Sequence, residues 1–482
     1  MADYDLVIAG GTVVTPADMF VADVGIIGDK IGAVGFGLRG RRSIDAHGLL
    51  VMPGGVDSHC HIEQLQSGGG ADEESWVTGS TSALAGGTTT VITFSTQFKG
   101  HGILEPLAEY RRRAAKAMVD YSFHQIITDA SDEVIFNEVP QVVASGVRSL
   151  KVFLTYDPLH LDDRQFLRVL AAARRTGALV TVHCENYEAI KWRTAALLAD
   201  GRTEPKYHAW SRPSVLEREA AHRAIALAEM VDQPIQIFHV SCPEVAEEIA
   251  RAKARGLKVW GETCPQYFVL SAQDMDRPGF EGAKFMCSPA PRDAAASEGL
   301  WKLVRDNVLD IVSSDHSGWS YETPVGKRLH GVDAPFSDIP NGVPGLGSRL
   351  PIVFSEGVSK GRIEPCAFVR LIATNPAKLF GLYPRKGTIA PGTDADLVLW
   401  DANKRVTITN RLLQHVIDYT PYEGLDVTGW PVSTIRRGAV VMQDGQVQAE
   451  PGTGEFLARG PYDLIRPTGN LPFGFDASAF QV

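Results

Sequence analysis

Cysteine is scarce in this chain of 482 residues, which contains only six. The six are Cys60, Cys184, Cys242, Cys264, Cys287 and Cys366. No two of them form a Cys-x-x-Cys pair, which speaks against a cysteine-ligated zinc finger, and so few thiols do not predict a disulfide framework. A reducing, cytoplasmic compartment is therefore the default prediction.

Long apolar runs and an excess of positive charge are also missing. No segment approaches the roughly 18 consecutive apolar residues of a membrane helix. The first five residues lack the basic and apolar regions of a secretory signal. Lysine and arginine number 47 against 57 aspartate and glutamate, a net charge of −10. This charge disfavours nucleic acid as a partner, because phosphate binding needs a basic face.

The chain does have a hydrophobic content of 44%, which is enough for a large core, and β-rich segments at both ends. Residues 5–52 and 396–447 read as short alternating strands separated by glycine turns, with Asp444-Gly445 as a predicted hairpin. We expect both ends to combine into one β-sandwich domain, residues 1–52 plus 384–450. An irregular tail is expected over residues 451–482.

The middle of the chain, residues 53–383, alternates short apolar strands with amphipathic helices such as Asp163–Arg175 and Val215–Met230. The predicted strands are Val56–His61, Thr88–Ser95, Tyr121–Thr128, Ser149–Tyr156, Leu179–Asn186, Ile235–Cys242, Lys258–Thr263 and Val308–Asp315. Eight βα units predict a closed (β/α)8 TIM barrel, of class α/β. A doubly wound sheet is the alternative, but no Gly-x-Gly-x-x-Gly motif follows the first strand.

Side chains that bind metals stand at the ends of these predicted strands, where a (β/α)8 barrel forms its active site. His59 and His61 end the first strand, and a spacing of two directs both imidazoles to one side. The other strand ends contribute Lys151, His183, His239 and Asp315. Each of these residues alone is better explained as a satisfied core residue. Their convergence on one barrel mouth predicts a divalent-metal site.

The number of candidate ligands predicts two metals. Four histidines and one aspartate exceed the three protein ligands that usually hold one catalytic zinc, and two cations about 4 Å apart need an anionic bridge. A lysine ammonium cannot be that bridge, but an amine that has taken up carbon dioxide becomes an anionic carbamate with two oxygens. Carbamylation would therefore account for Lys151 in an apolar strand. A lysine that snorkels to the surface or pairs with a buried acid is the alternative.

Several segments resemble the hydantoinase/dihydropyrimidinase family of cyclic amidohydrolases, within the amidohydrolase superfamily. The matching segments are Gly54–His61, Gly86–Thr89, Lys151–Tyr156, His183–Asn186, His239–Ser241, Cys287–Pro289, Ser314–His316, Ile339–Gly342 and Arg385–Leu397. They extend over most of the chain, from about residue 4 to about residue 460. The resemblance implies a hydrolase that opens a cyclic amide, imide or ureide ring of the hydantoin or dihydropyrimidine type. A hydroxide that bridges two divalent ions, expected to be zinc, would attack the ring.

The resemblance also implies a role for each candidate residue. One metal would be held by His59, His61, carbamylated Lys151 and Asp315, and the second by Lys151, His183 and His239. Tyr156 would stabilise the oxyanion, and main-chain groups at Ser288 and Asn341 would hold the ring amide. We expect Asp315 to act also as the catalytic proton carrier, because the leaving ring nitrogen needs a proton.

A homotetramer is also implied by the resemblance. The tail is rich in large apolar residues, namely Tyr462, Leu464, Ile465, Leu471, Phe473, Phe475 and Phe480. These would be a liability on the surface of a monomer, although packing on the chain's own surface is the alternative.

Two departures from the family pattern bear on the substrate. The loop after His61 presents Glu63, Gln64 and Gln66 and then Gly68–Gly70, where the family has more apolar residues, so we expect a small or polar exocyclic group. The segment between Asp315 and Asn341 also differs from the family norm. Dihydroorotases have an arginine at the position of Glu63, so their type of anionic substrate is disfavoured. An allantoinase-like ureide hydrolase and a non-catalytic dihydropyrimidinase-related scaffold are the alternatives, although the scaffold proteins lack metal ligands that this chain keeps.

Overall fold

The structure, a computed structural model, describes residues 3–65, 72–471, 474–476 and 479. These residues form seventeen β-strands: β1 (Tyr4–Val14), β2 (Met19–Ile27), β3 (Lys30–Gly35), β4 (Gly40–Asp45), β5 (Leu50–Pro53), β6 (Gly55–Asp57), β7 (Thr88–Ser95), β8 (Asp120–Ile126), β9 (Ser149–Phe153), β10 (Leu179–His183), β11 (Ile235–Ile237), β12 (Val259–Thr263), β13 (Ile311–Val312), β14 (Leu397–Thr407), β15 (Asp426–Arg436), β16 (Ala439–Gln443) and β17 (Gln446–Val447). They assemble into two sheets.

Nine strands from the two ends of the chain form one mixed sheet, ordered β17-β16-β15-β14-β5-β1-β2-β3, with β4 parallel to β1. Residues 5–14, where the glycines at positions 10 and 11 were expected to separate two short strands, form a single strand, because β1 continues through a bulge between Ile8 and Gly11. The predicted hairpin at Asp444-Gly445 joins β16 to β17, with φ of 49° and 77° at its two residues. Prediction missed β4, because its charged, largely exposed residues show no apolar alternation.

The strands β6 to β13 form the second sheet, which is parallel and follows chain order. A parallel bridge between Cys60 and His316 joins the segments that follow its first and last strands, so that the sheet curls into a nearly closed barrel. The predicted (β/α)8 barrel with a separate β domain is confirmed, and the doubly wound alternative is wrong. All eight predicted strands form, but six end two to five residues earlier than predicted. The residues beyond these earlier strand ends belong to the loops at the barrel mouth.

The described residues also form fourteen α-helices: α1 (Trp76–Ala85), α2 (Leu104–Ala114), α3 (Val139–Ala144), α4 (Asp163–Thr176), α5 (Tyr187–Ala199), α6 (Tyr207–Ser211), α7 (Ser214–Val231), α8 (Pro243–Ala254), α9 (Gln266–Val269), α10 (Ala294–Arg305), α11 (Arg349–Val353), α12 (Pro365–Val369), α13 (Asn375–Leu379) and α14 (Asn410–Leu413). The bounds of α4 and α7 lie within one residue of prediction. Helix α4 shows why: Asp162 and Gln165 form a capping box at its start, and Gly177 adopts the left-handed conformation at its end. Within the described part of the chain, no helix is both long and apolar enough to cross a membrane.

Apolar side chains fill the barrel wall and floor. The strands β7 and β8 are buried along their whole length, as expected for parallel strands covered on both faces. The rings of Phe94 and Phe238 lie 5.0 and 4.2 Å from the ring of His59. The first predicted metal ligand therefore packs on an apolar floor, while the loops above it are free to carry polar groups.

Candidate metal centre and active site

A cavity of about 770 Å³ opens above the carboxyl ends of the barrel strands. All nine residues that the sequence singled out line it, namely His59, His61, Lys151, Tyr156, His183, His239, Ser288, Asp315 and Asn341. They lie on six different strands or in the segments that follow them, so only the barrel brings them together. Their individual roles remain predictions.

His59, His61 and Asp315 form a compact group of metal-binding side chains, with one ligand atom of each within 4.8 Å of the others. The Oδ1 atom of Asp315 lies 3.0 Å from Nε2 of His59 and 3.5 Å from Nε2 of His61. Burial raises the pKa of the Asp315 carboxyl, but the positive charge of His59 and hydrogen bonds from both histidines outweigh burial and hold that pKa well below its usual value. The carboxylate is therefore ionised beside a protonated His59. Metal binding also uses an ionised carboxylate, but it requires His59 to give up that proton.

Lys151 lies on β9 with 1% of its surface exposed. Its Nζ is 4.2 Å from the ring centre of Phe238 and 4.7 Å from that of Phe153. No described group accepts a hydrogen bond from Nζ, so the alternative of a hydrogen-bonded pair with a buried acid has no geometric support. Burial lowers the pKa of the amine to about 7, which places its neutral form within reach near neutral pH.

His183 and His239 lie beside the first group, with ring centres 4.4 Å apart. The ring of His239 is 5.4 Å from that of His59. Burial lowers the pKa of both imidazoles and favours the neutral form, which is the one that binds metals. The described residues offer no hydrogen-bond partner to Nδ1 of His239. This nitrogen is a second orphaned polar atom beside Lys151 Nζ.

Tyr156, Ser288 and Asn341 complete the lining above these residues. The ring of Tyr156 is 5.2 Å from that of His183, and burial raises the pKa of its phenol, so the hydroxyl remains a hydrogen-bond donor. The Ser288 hydroxyl lies 3.2 Å from Nε2 of His208. The side-chain oxygen of Asn341 is buried and accepts no hydrogen bond from the described residues.

Three site residues have backbone torsions that L-amino acids rarely adopt. The φ angles are 71° at Tyr156, 39° at His239 and 48° at Asp315. Each residue follows the end of a barrel strand, where the chain turns sharply into a loop. Strain of this kind persists where the surrounding structure enforces it, and it concentrates at functional sites.

Comparisons with known proteins agree with this geometry. The model of the Amidohydrolase family matches residues 50–441. A D-hydantoinase from Rhizobium radiobacter is 42% identical over 462 residues, which cover 95% of this chain and 99% of the relative. The chain belongs to the hydantoinase/dihydropyrimidinase group of the amidohydrolase family.

Further relatives lie within the same group. A D-phenylhydantoinase from Escherichia coli is 40% identical over 423 residues, 87% of this chain and 90% of the relative. The crystal structure of dihydropyrimidinase from Brevibacillus agri NCHU1002 has a TM-score of 0.92 at 40% identity and covers 95% of this chain and 99% of that one. The predicted family is thus confirmed. Amidohydrolases bind divalent metal, and the group of His59, His61 and Asp315 suits that requirement.

Two glutamates of this amidohydrolase site were missed by the sequence analysis. Glu262, on β12, accepts a hydrogen bond from Nδ1 of His59 at 2.7 Å. Glu185 lies 2.7 Å from Nε2 of His183 and from Nη1 of Arg212. Carboxylates behind metal-binding histidines orient the imidazole and raise its basicity. The sequence did contain a signal for each glutamate. Glu262 is a carboxylate at the end of the seventh barrel strand, and Glu185 lies two residues after His183.

The loop after His61 is arranged differently from the prediction. Glu63 was expected to face the substrate, but its carboxylate accepts a hydrogen bond from the backbone N–H of Trp76 at 3.1 Å. It is not among the described residues that line the cavity. Gln64 does line the cavity, with its side-chain amide bonded to His61 and Thr96. Gln66 and Gly68–Gly70 lie outside the described residues.

Apolar side chains take a large share of the cavity wall instead. They are Phe153, Leu159, Ile190, Leu198, Trp319, Leu329, Phe336 and Ile339. Two of them, Ile190 and Leu198, come from helix α5. Because Glu63 does not face the cavity, it no longer supports a polar substituent on the substrate. The described part of the cavity wall favours an apolar substituent.

Proposed function

We propose that this amidohydrolase opens a cyclic amide ring of the hydantoin or dihydropyrimidine type by adding water across a ring C–N bond. The names of its relatives support this ring class. The observation that carries the proposal is the convergence of four histidines, Asp315 and the unpaired Lys151 on one cavity. Such a set of nitrogen and oxygen donors is what metal-assisted hydrolysis requires.

Two divalent ions, with zinc as the first choice, fit these residues. One would be held by His59, His61, carbamylated Lys151 and Asp315, and the other by Lys151, His183 and His239. The orphaned Nζ of Lys151 and Nδ1 of His239 are buried polar atoms whose desolvation a bound group would offset. When bound, such a pair of ions lowers the pKa of water and supplies hydroxide at neutral pH.

The surroundings of Lys151 support its carbamylation. A neutral amine adds through its lone pair to the carbon of carbon dioxide, and the loss of one N–H proton then leaves a carbamate anion. An apolar, unpaired position favours the neutral amine over the ammonium. The carbamate is in turn stable in this position only if cations neutralise it, so we expect metal binding and carbamylation to depend on each other.

The remaining polar residues handle the proton and the substrate. The ionised carboxylate of Asp315 takes the proton of the attacking water and returns it to the ring nitrogen as the C–N bond breaks. The Tyr156 hydroxyl donates a hydrogen bond to the carbonyl oxygen, which becomes negative during the attack. Main-chain groups at Ser288 and Asn341 bind the ring amide and set its orientation.

The cavity has room for more than the ring. Its volume of about 770 Å³ lies in the upper part of the roughly 300–1,000 Å³ range of small-molecule sites, and its described wall is rich in apolar side chains. We therefore infer a ring with an apolar exocyclic substituent, which replaces the expectation of a small or polar one. The name of the D-phenylhydantoinase relative is in line with this choice.

We also propose that the enzyme is a cytoplasmic homotetramer. Its six thiols are all free, as suits a reducing compartment. In the tail, Tyr462 and Ile465 pack on the chain's own surface, whereas Leu464 is 40% exposed. Phe473 and Phe480 lie outside the described residues. Self-packing therefore accounts for part of the tail, and the exposed part is available to another subunit.

A substrate panel tests the proposed activity. Zinc-loaded protein would be assayed with hydantoin, 5-phenylhydantoin in both enantiomers, dihydrouracil and allantoin. Opening of a hydantoin or dihydrouracil ring, with little action on allantoin, is the expected result. A strong preference for allantoin would instead support the allantoinase-like alternative. No turnover of any ring by fully metal-loaded protein would overturn the proposal in favour of a non-catalytic scaffold.

A further inference from the structure

Lys327 is a buried lysine that the proposed mechanism does not use. Its side chain is fully buried. Its Nζ donates to the main-chain carbonyls of Met286 at 3.2 Å, Pro340 at 2.7 Å and Gly342 at 2.7 Å. Burial lowers the pKa of this amine to about 7, but only the protonated form has the three N–H donors that three carbonyls can accept. The geometry therefore favours the ammonium, with all of its hydrogen-bonding capacity used by these carbonyls.

The absence of a counter-ion makes this lysine costly to bury. The buried cation Lys386 bonds to carboxylates of Asp120 and Asp396, and Arg292 bonds to Glu217. Lys327 has no such partner among the described carboxylates, and three carbonyl dipoles alone replace its hydration. A buried charge without an opposite charge is unfavourable. Hydrophobic residues of similar size would fill the same space at lower cost, which points to a role beyond filling space.

The three carbonyls belong to the two segments that carry the proposed ring-binding residues. Pro340 and Gly342 flank Asn341, and Met286 lies two residues before Ser288. The N–H of Gly342 also donates to the carbonyl of Met286 at 2.9 Å. The ammonium therefore joins both segments at a single point. Its bond to the Pro340 carbonyl also polarises the peptide whose N–H belongs to Asn341, which strengthens that N–H as a donor.

We propose that Lys327 is a positioning residue for the substrate, whose ammonium holds the Ser288 and Asn341 segments at the spacing that fits one cyclic amide. This inference rests on the proposed function, since it assumes that the ring binds between these segments. Lys327 is not itself one of the described residues that line the cavity. It acts through the main chain of its neighbours.

A role in holding the ring predicts a particular kinetic signature. Contacts to the ring amide form in the ground state and persist in the transition state, so their loss raises KM with little change in kcat. A purely structural lysine would lower stability or the amount of active enzyme and leave KM unchanged. A loss of metal would lower kcat.

The chain offers a matched control in Lys258. Its Nζ also donates to three main-chain carbonyls, those of Asp463, Leu464 and Arg466 at 3.5, 3.0 and 2.7 Å. It precedes β12, at the end of the barrel opposite the site. A Lys258→Met variant therefore loses the same kind of interaction away from the substrate.

The experiment compares Lys327→Met, Lys327→Gln and Lys258→Met with the unmodified enzyme, with zinc content and thermal unfolding measured for each. We expect Lys327→Met to raise KM for its best ring substrate by about tenfold or more while kcat stays within about threefold. Lys327→Gln, which keeps an amide donor, should raise KM less, and Lys258→Met should leave it unchanged.

An unchanged KM in Lys327→Met, or a KM that rises equally in Lys258→Met, would overturn the inference. So would failure of both Lys327 variants to fold, because the lysine would then hold the fold rather than the site. Absence of ring opening by the unmodified, metal-loaded enzyme would contradict the proposed function itself. That result is distinguishable from the others, because it appears before any variant is compared.

Discussion

At the scale of the residue, the site consists of side chains whose burial is unfavourable unless a ligand is present. Lys151 keeps an unpaired amine in an apolar strand, and His239 keeps an unpaired ring nitrogen beside it. Asp315 is held ionised in the same buried space. Because unpaired polar groups cost free energy when buried, these residues indicate a site built around a bound group.

Lys151 provides the most direct test of the metal bridge. Lys151→Ala would remove the proposed carbamate, so we expect less than one equivalent of zinc per chain after reconstitution with zinc and bicarbonate, and a loss of activity of about 10²-fold or more. Small carboxylic acids should restore part of the activity, because they can replace the bridging carbamate. Metal analysis and rates would be compared with Lys302→Ala, an exposed position on α10. Full zinc binding and activity in Lys151→Ala would contradict the bridge.

A substitution at Asp315 is expected to distinguish its role in metal binding from its role in proton transfer. The variant Asp315→Asn keeps an oxygen ligand but cannot accept a proton, so at least one metal should remain while kcat falls by about 10²-fold or more. Zinc content and kcat would be measured together. The control is Asp338→Asn, which changes another cavity carboxylate, outside the metal group. Near-normal turnover in Asp315→Asn would show that another group carries the proton.

Much of the residue-level site could be predicted, because barrel topology converts positions at strand ends into positions around one mouth. All nine candidates reached the cavity. Glu262 also stands near a strand end, but its role as the partner of His59 could not be assigned in this way, and neither could the role of Lys327. Their roles depend on a hydrogen bond across the barrel to His59 and on three carbonyls brought together by loops. Sequence spacing encodes neither contact.

At the scale of the element, strands and helices with clear periodicity were predictable, while the loops were not. The helices α4 and α7 and all eight barrel strands were anticipated, because burial fixes their apolar patterns. The direction of Glu63 was predicted wrongly. Its φ of 49° and its bond to the backbone of Trp76 turn it away from the cavity. Such a choice depends on which backbone donors are near, and the local sequence does not show them.

The wall formed by α5 predicts the substrate preference. We expect kcat/KM for 5-phenylhydantoin to exceed that for hydantoin. Ile190→Ala should lower the ratio of kcat/KM for 5-phenylhydantoin to kcat/KM for hydantoin by about tenfold, since methylenes lost from an apolar pocket weaken binding of an apolar group. Glu63→Gln should leave the ratio unchanged, because Glu63 bonds to Trp76 rather than facing the cavity. A preference of the unmodified enzyme for the unsubstituted ring would contradict this account of the wall.

At the scale of the whole molecule, the two ends of the chain meet in one sheet, and the segment that forms the barrel lies between them in the sequence. This organisation was visible in the sequence as two β-rich ends around a βα repeat. The sequence did not show which residues are exposed at the surface of the molecule, because exposure depends on how the helices pack. Helix α5 shows this: it is rich in apolar residues, but Ile190 is its only fully buried described residue. Trp192 on α5 is 72% exposed and the neighbouring Trp210 is 51% exposed.

Exposed aromatic residues of this kind are typical of subunit contacts, so we expect the chains of the proposed homotetramer to meet at Trp192 and Trp210. Light scattering at micromolar concentration should give about four times the 52.2 kDa of one chain. Trp192→Glu should shift the protein toward smaller species, because a charge desolvated in an apolar interface is unfavourable. Lys302→Glu, which puts the same negative charge on an exposed polar position of α10, should not, and Phe36→Glu tests a strongly exposed aromatic of the β domain. A 52.2 kDa species for the unmodified protein would exclude the tetramer. Dissociation by Phe36→Glu alone would move the contact from the barrel to the β domain.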